Sequence, residues 1–260
     1  MGIPISEKHA VDVASFIVVF EHPFDANIIG SLPGLHERLK SDYSNFTFTS
    51  SIEVRVEGDN VHQQIKANGC LLQSLLPDGR PSWTLRLENN TIVVSCTKYK
   101  RWVDISSKAL DHISTAIAFV NNENNAVTSF IHQIVDRFVT TNKDEYDISQ
   151  VFNTRSPYLT GQALKVGKFW HVFQGWFEDK QEFGGKLLNV LNLSTAETPA
   201  TLTITTTIDH AAHLQFESPK TISELDDKFI RKAFDELHEC NKSIIRQLLN
   251  NDQLKTIGLQ

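Results

Sequence analysis

SELDDKFIRKAFDELHECNKSIIRQLLN, residues 223–250, runs for twenty-eight residues without a proline or a glycine. Phe229, Ile230, Ala233, Phe234, Leu237, Ile244, Ile245, Leu248 and Leu249 recur in it at helical spacing, which predicts one long amphipathic helix. Ser223 is the expected N-cap, with Asp226 three positions on as its capping-box partner. At 1.5 Å per residue the helix would reach roughly 42 Å, enough to cross a whole sheet. Its apolar stripe is too wide for a two-stranded coiled-coil seam, so its partner is expected to be the chain's own sheet. Asn241 falls near the middle of that stripe. It reads either as a solvated edge residue or as a buried polar group that fixes a helical interface.

The residues just upstream supply such a sheet. Leu202, Ile204, Thr206 and Ile208 alternate with Thr201, Thr203, Thr205 and Thr207, a strand with one apolar and one wet face. Residues 16–20, FIVVF, predict a strand buried on both faces, ended by His22-Pro23. Asp25 or Ser31 can cap a short helix near Ser31, interrupted by Gly30, Pro33 and Gly34. Strands are expected over 51–57, stopped by Gly58-Asp59-Asn60, and over 67–76, followed by the Pro77-Asp78-Gly79 turn. Trp83, Leu85 and Leu87, then Ile92, Val94 and Cys96, form a hairpin about Asn89-Asn90. Asp104 is the expected cap of a helix carrying Ile105, Ala109, Ile113, Ala116, Ile117 and Val120. A polar turn at 121–125 and strands over 126–140, 161–177 and 185–193 complete the reading. The fold class is therefore α+β: antiparallel sheets with helices packed on one face and a long C-terminal amphipathic helix. The polar stretch 140–146 divides an N-terminal α+β half, 1–142, from a β-rich C-terminal half, 143–260.

Composition narrows the function classes. The chain has 260 residues, 40% hydrophobic and 22% charged, with a net charge of −6. Such a chain lacks the global field that draws in nucleic acid or anionic lipid, though a local basic patch remains open. The three cysteines, Cys70, Cys96 and Cys240, are too far apart for a zinc site and read as reduced thiols. The first fourteen residues carry no apolar signal segment, and the longest apolar run, 16–20, is far short of a membrane span. The expectation is a cytoplasmic protein without a membrane contact. No phosphate loop, dinucleotide fingerprint, metal motif or nucleophile elbow occurs, and no cofactor is expected.

Four places carry candidate chemistry. His132 and Asp136 lie on one face of a strand, and a His–Asp pair can act as a general base. Four strand positions span about 13 Å, however, so Asp136 is as readily paired with an arginine. Lys98, Tyr99, Lys100, Arg101 and Trp102 interleave basic and aromatic groups, as a single-stranded nucleic-acid site would. The favoured reading is that Tyr99 and Trp102 anchor a strand-to-helix corner while the basic residues remain solvated. Asp209, His210 and His213 could hold a metal only if the chain bends at Ala211-Ala212. Asn241 is a candidate contact on the terminal helix.

Three stretches occur in order: Tyr99-x-x-Trp102 at a helix start, Val135-Asp136-Arg137-Phe138 in a strand, and Leu237-His238-Glu239 in a final helix followed by residues 254–258. In these the chain resembles a sporadically distributed prokaryotic family of similar length with no assigned activity. Gln133-Ile134 stands where that family has Arg-Tyr, and Asp136-Arg137 where it has Asn-Arg, so only Arg137 carries over. The resemblance implies a patchily inherited accessory protein of the kind found among toxin–antitoxin, immunity or defence genes. The leading expectation is a non-enzymatic protein-interaction module with a co-encoded partner, or a homodimer. One alternative is an enzyme or nucleotide-handling protein with a site near His132, Asp136 and Arg137. The other is single-stranded nucleic-acid binding through 98–102.

Overall fold

The computed structural model describes residues 2–6, 8–57, 60–120 and 125–259. The turns expected at 58–59 and 121–124 lie outside these residues. A short β1, Ile3–Pro4, precedes β2, Val11–Phe20, and α1, Ala26–Leu39. Then come β3 (Asn45–Glu57), β4 (Asn60–Leu75), β5 (Pro81–Glu88), β6 (Thr91–Cys96) and α2 (Trp102–Phe119). The chain continues with β7 (Val127–Thr140), β8 (His171–Lys180), β9 (Gly185–Thr198) and β10 (Thr203–Lys220). It closes with α3 (Asp227–Leu248) and α4 (Asn251–Thr256).

All strands belong to one antiparallel sheet, ordered β3-β4-β5-β6-β2-β7-β10-β9-β8, with β1 beside the end of β7 that β2 does not reach. The fold is α+β and dominated by this single sheet, where several sheets were expected. The sheet continues past residue 142, because β7 pairs with β10 from Ser129↔Gln215 to Thr140↔Ile204. On either side of the central β2–β7 pair the strands run outward in reverse chain order, β6, β5, β4 and β3 beyond β2, and β10, β9 and β8 beyond β7. A helix follows each set, α2 after β6 and α3 after β10.

Alternation sets the buried face. Phe130, His132, Ile134, Asp136, Phe138 and Thr140 of β7 are buried, in register with Phe16 and Val18 of β2 and with Ile208, His210 and Ala212 of β10. Ile17 and Val19 point the other way and are half-buried, so 16–20 is fully covered on one side only. Two clusters of apolar side chains fill the space over the buried face. In one, Ile230, Ala233, Phe234 and Leu237 of α3 meet Phe16, Phe130 and the buried residues of α1 and α2. In the other, Ile244, Ile245 and Leu248 meet Phe138, Leu191, Leu193 and Ile208. His238 and Asn241 of α3 are buried between these two groups.

The terminal helix is broken where the sequence reads as continuous. It is capped by Asp226, whose carboxylate accepts from the Phe229 amide at 2.6 Å, and not by Ser223. It has 22 residues, about 33 Å. Leu249 turns extended and bridges to Phe152, while Asn250 accepts from the Gln253 amide and starts α4. An asparagine able to cap competes with continued helix, and here its amide also donates to Ser149 O at 2.7 Å. α1 departs the opposite way: Asp25 caps it and it runs through Pro33, held by buried Leu32, Leu35 and Leu39. α2 begins at Trp102, so Asp104 sits in its first turn rather than at its cap. Residues 161–168 form turns, and only His171–Lys180 of the expected 161–177 strand region is strand. Leu202 lies in the turn before β10 with φ 52°, exposed, rather than in the strand. Both Pro77-Asp78-Gly79 and Asn89-Asn90 turn as expected, the latter with Asn89 at φ 54°. Among the described residues no helix is long and apolar enough to cross a membrane.

Candidate functional site

The polar stretch of α3 faces a cleft of about 350 Å³ between the start of α2, the end of β7 and the chain's two ends. Ile134 and Asp136 of β7 form its floor with Asn241 of α3, and Tyr99, Trp102 and His238 form an aromatic wall. Five basic side chains line it as well: Lys8, Lys100, Arg101, Lys242 and Arg246. Ile257, Gly258 and Leu259 close one side, opposite His9, Ala10 and Val11. Among the described residues Asp136 is the one acidic residue in the lining, within a chain of net charge −6.

The wall is rigid. The Trp102 and His238 rings stack with centroids 3.8 Å apart and planes 4° from parallel. Trp102 Nε1 donates to Asp235 at 2.9 Å, which ties α2 to α3. Tyr99 packs edge-on against His9 at 5.3 Å, and burial raises its hydroxyl to about 12. Aromatic pairs in such geometries add to plain area burial.

Asp136 is 6% exposed and has no hydrogen-bond or ion-pair partner among the described residues. Desolvation disfavours its charged form and pushes the carboxyl up to about 7. Buried carboxyls are normally paired, so a lone one facing a cleft marks a place where a ligand can supply the partner. His9 Nδ1 and His238 Nδ1, from two other lining residues, are likewise buried without partners.

A chain of hydrogen bonds supports Asn241 from behind. Asn189 Nδ2 donates to Glu178 at 2.9 Å, which leaves Asn189 Oδ1 facing His210 Nε2 at 3.1 Å. A carbonyl oxygen only accepts, so His210 carries its proton on Nε2 and offers the lone pair of Nδ1. Asn241 Nδ2, 3.1 Å from that Nδ1, is the donor. Burial holds His210 neutral, down to about 3.

The sequence candidates divide cleanly. Tyr99, Lys100, Arg101, Trp102, Asp136 and Asn241 line the one cleft; Lys98 does not. His132 lies deeper on the same face, its Nδ1 donating to Ser15 O at 3.0 Å and its Nε2 without a partner. Burial lowers it to about 4. Arg137 is on the opposite face, in an ion pair with Asp12 at 3.1 Å, so His132, Asp136 and Arg137 do not converge. β10 stays regular through Ala211 and Ala212, and the metal candidates are dispersed. His210 is on the helix side, while Asp209 accepts from Gln133 at 2.8 Å and half-buried His213 is on its own face. Among the described residues no group of three or more metal-ligating side chains forms. Burial raises Cys70, Cys96 and Cys240 to about 12, 11 and 12, which keeps them as unreactive thiols.

A second polar cluster is structural. Tyr43 hydroxyl lies 2.7 Å from His112 Nδ1, and His112 Nε2 lies 3.4 Å from Asp42, but Tyr43 is fully buried and meets no solute.

Lys8, His9, Lys242, Arg246 and Leu259 escaped the sequence reading, and His238 and residues 257–258 entered it only through the resemblance, with no site role. His238, Lys242 and Arg246 stand four apart along α3, a polar row beside the apolar stripe, and that spacing was a usable signal. Compared with known protein families and with curated proteins, the chain matches none.

Proposed function

We propose that the protein binds a small anionic molecule with a planar ring, a mononucleotide, in this cleft. The observation that carries the reading is the partnerless, buried Asp136 beneath a basic rim. The rim concentrates positive charge in an otherwise acidic chain, and Tyr99, Trp102 and His238 add aromatic surface to the lining. A volume of about 350 Å³ is at the small end for ligand pockets and suits one nucleotide. The reading takes up the nucleotide-handling expectation with Asp136 in place, and with His132 and Arg137 outside the cleft.

Calorimetric titration of a panel of nucleoside 5′-monophosphates tests this. Saturable binding that weakens with added salt is expected, and the Lys100→Ala/Arg101→Ala variant should bind roughly tenfold more weakly or worse. Absence of heat with every nucleotide, or an unaffected double variant, would sink the reading.

A second reading, the homodimer, is supported by a different surface. β5 pairs with β4 only from Gly69 onward, so residues 60–67 of β4 pair with β3 alone as a two-stranded ribbon. Ile52, Val54 and Ile65 on it are 65%, 53% and 74% exposed, and Ile52 stands opposite Ile65. Two-stranded ribbons are marginal alone, and a second copy laid on this one would cover the exposed side chains. Sedimentation should show a dimer that Ile65→Glu converts to monomer. A wild-type monomer at high protein concentration rules the dimer out.

A further inference from the structure

We infer that the cleft selects guanine over adenine nucleotides, with Asp136 and Asn241 reading the donor edge of the base and the phosphate held at the basic rim. This rests on the proposed ligand site and names its substrate class. The argument is one of hydrogen-bond complementarity. His210 accepts from Asn241 Nδ2, so the amide orientation is fixed and its Oδ1 remains for the cleft. The Asp136 carboxylate is a second acceptor in the same lining, with no donor from the protein. A ligand satisfies these groups only by presenting N–H donors at its buried end. The guanine edge carries N1–H and the N2 amino group side by side, matching a carboxylate with two parallel charge-assisted bonds. Adenine presents a bare N1 there, which faces the carboxylate lone pair against lone pair. Its N6 amino group can give the carboxylate one bond, but the second contact, at N1, needs Asp136 as the neutral acid, and burial places that carboxyl at about 7. At pH 8 the ionised form dominates, and adenine must first bring in a proton.

Lys100 and Arg101 lie where the rim meets the first turn of α2, whose amides add a further positive end. The ligand is thus oriented: its neutral donor-bearing ring inward, its anion outward.

Binding of GMP, AMP and guanosine is measured at pH 8 with wild type and Asp136→Asn. Wild type should prefer GMP over AMP about tenfold or more, the discrimination of one good bidentate base contact. Guanosine, lacking the phosphate, should bind more weakly than GMP. Asp136→Asn replaces an acceptor pair by one acceptor and one donor, the complement of adenine, so the preference should vanish or reverse. Thermal unfolding of the variant confirms that it is folded. The inference is overturned if wild type binds AMP as tightly as GMP, or if Asp136→Asn keeps the guanine preference. In either case binding itself survives, and with it the nucleotide site. If no nucleotide binds wild type, the ligand reading fails and this one with it.

Discussion

Asp136→Asn should make the protein more stable at neutral pH, by as much as about 4 kcal/mol. The carboxyl stands at about 7 in the folded chain against an ordinary value of 3.8. That is a difference of about three units at about 1.4 kcal/mol each. Below pH 4 the group is protonated in both folded and unfolded chains and contributes no penalty. As the pH rises from 4 to 7, the unfolded chain gives up its proton first and folding loses ground; above 7 the penalty is complete. The asparagine variant lacks this dependence. Urea unfolding of both proteins should show a stability gap that opens between pH 4 and 7 and is constant beyond. A gap that does not change with pH would show that the carboxylate has a partner in solution. A residue whose replacement strengthens the fold is one that its site retains for another purpose.

Mild acid should unfold the protein steeply. His132, His210 and His238 are buried and neutral, lowered to about 4, 3 and 3 from an ordinary 6.5. Desolvation is the main cause for each, and for His210 and His238 the neighbouring His132 adds to it. Their stabilising contribution is whole above pH 6.5 and is lost as the pH falls toward 4 and 3, because the unfolded chain takes up protons that the folded chain refuses. Near pH 5 the unfolded state binds three protons on these rings, and the folded state binds one on Asp136. A net uptake of two protons corresponds to about 3 kcal/mol lost per pH unit. Against a typical total of about 5–15 kcal/mol, one to two pH units below 6 should bring the midpoint into view. Denaturant titrations from pH 7 to 5 measure the slope directly, and His210→Gln should reduce it by about one proton. A flat profile over that range would contradict the buried neutral rings.

The sequence made local pattern readable and left distant pairing unread. Phe130 to Phe138 shows its buried face by strict alternation, and that same period separates Asp136 from Arg137, which makes their convergence impossible. The single sheet was out of reach, because it depends on β7 finding β10 across the intervening residues 141–202. Asn250 looks like any polar helix residue until Ser149 O and the Gln253 amide are placed beside it. For the cleft, Tyr99, Trp102, Asp136 and Asn241 stood out by residue type, but only the crossing of α3 over β7 brings them together. Lys8 carries no local mark of its placement, since a solvated lysine reads the same.

Gln253 Nε2 donates to Gly2 O at 2.6 Å and to Gln150 O at 2.9 Å, and the cleft's rim is built from residues 8–11 on one side and 257–259 on the other. During synthesis residues 8–11 leave the ribosome long before residues 257–259. β2 through β7 can assemble while the later segments are still being made, since sheet pairing there needs nothing beyond residue 140. The binding site has no such head start. It needs residues 257–259 as well as 8–11, so a nascent chain can be folded through β2 to β7 and still be unable to hold a ligand.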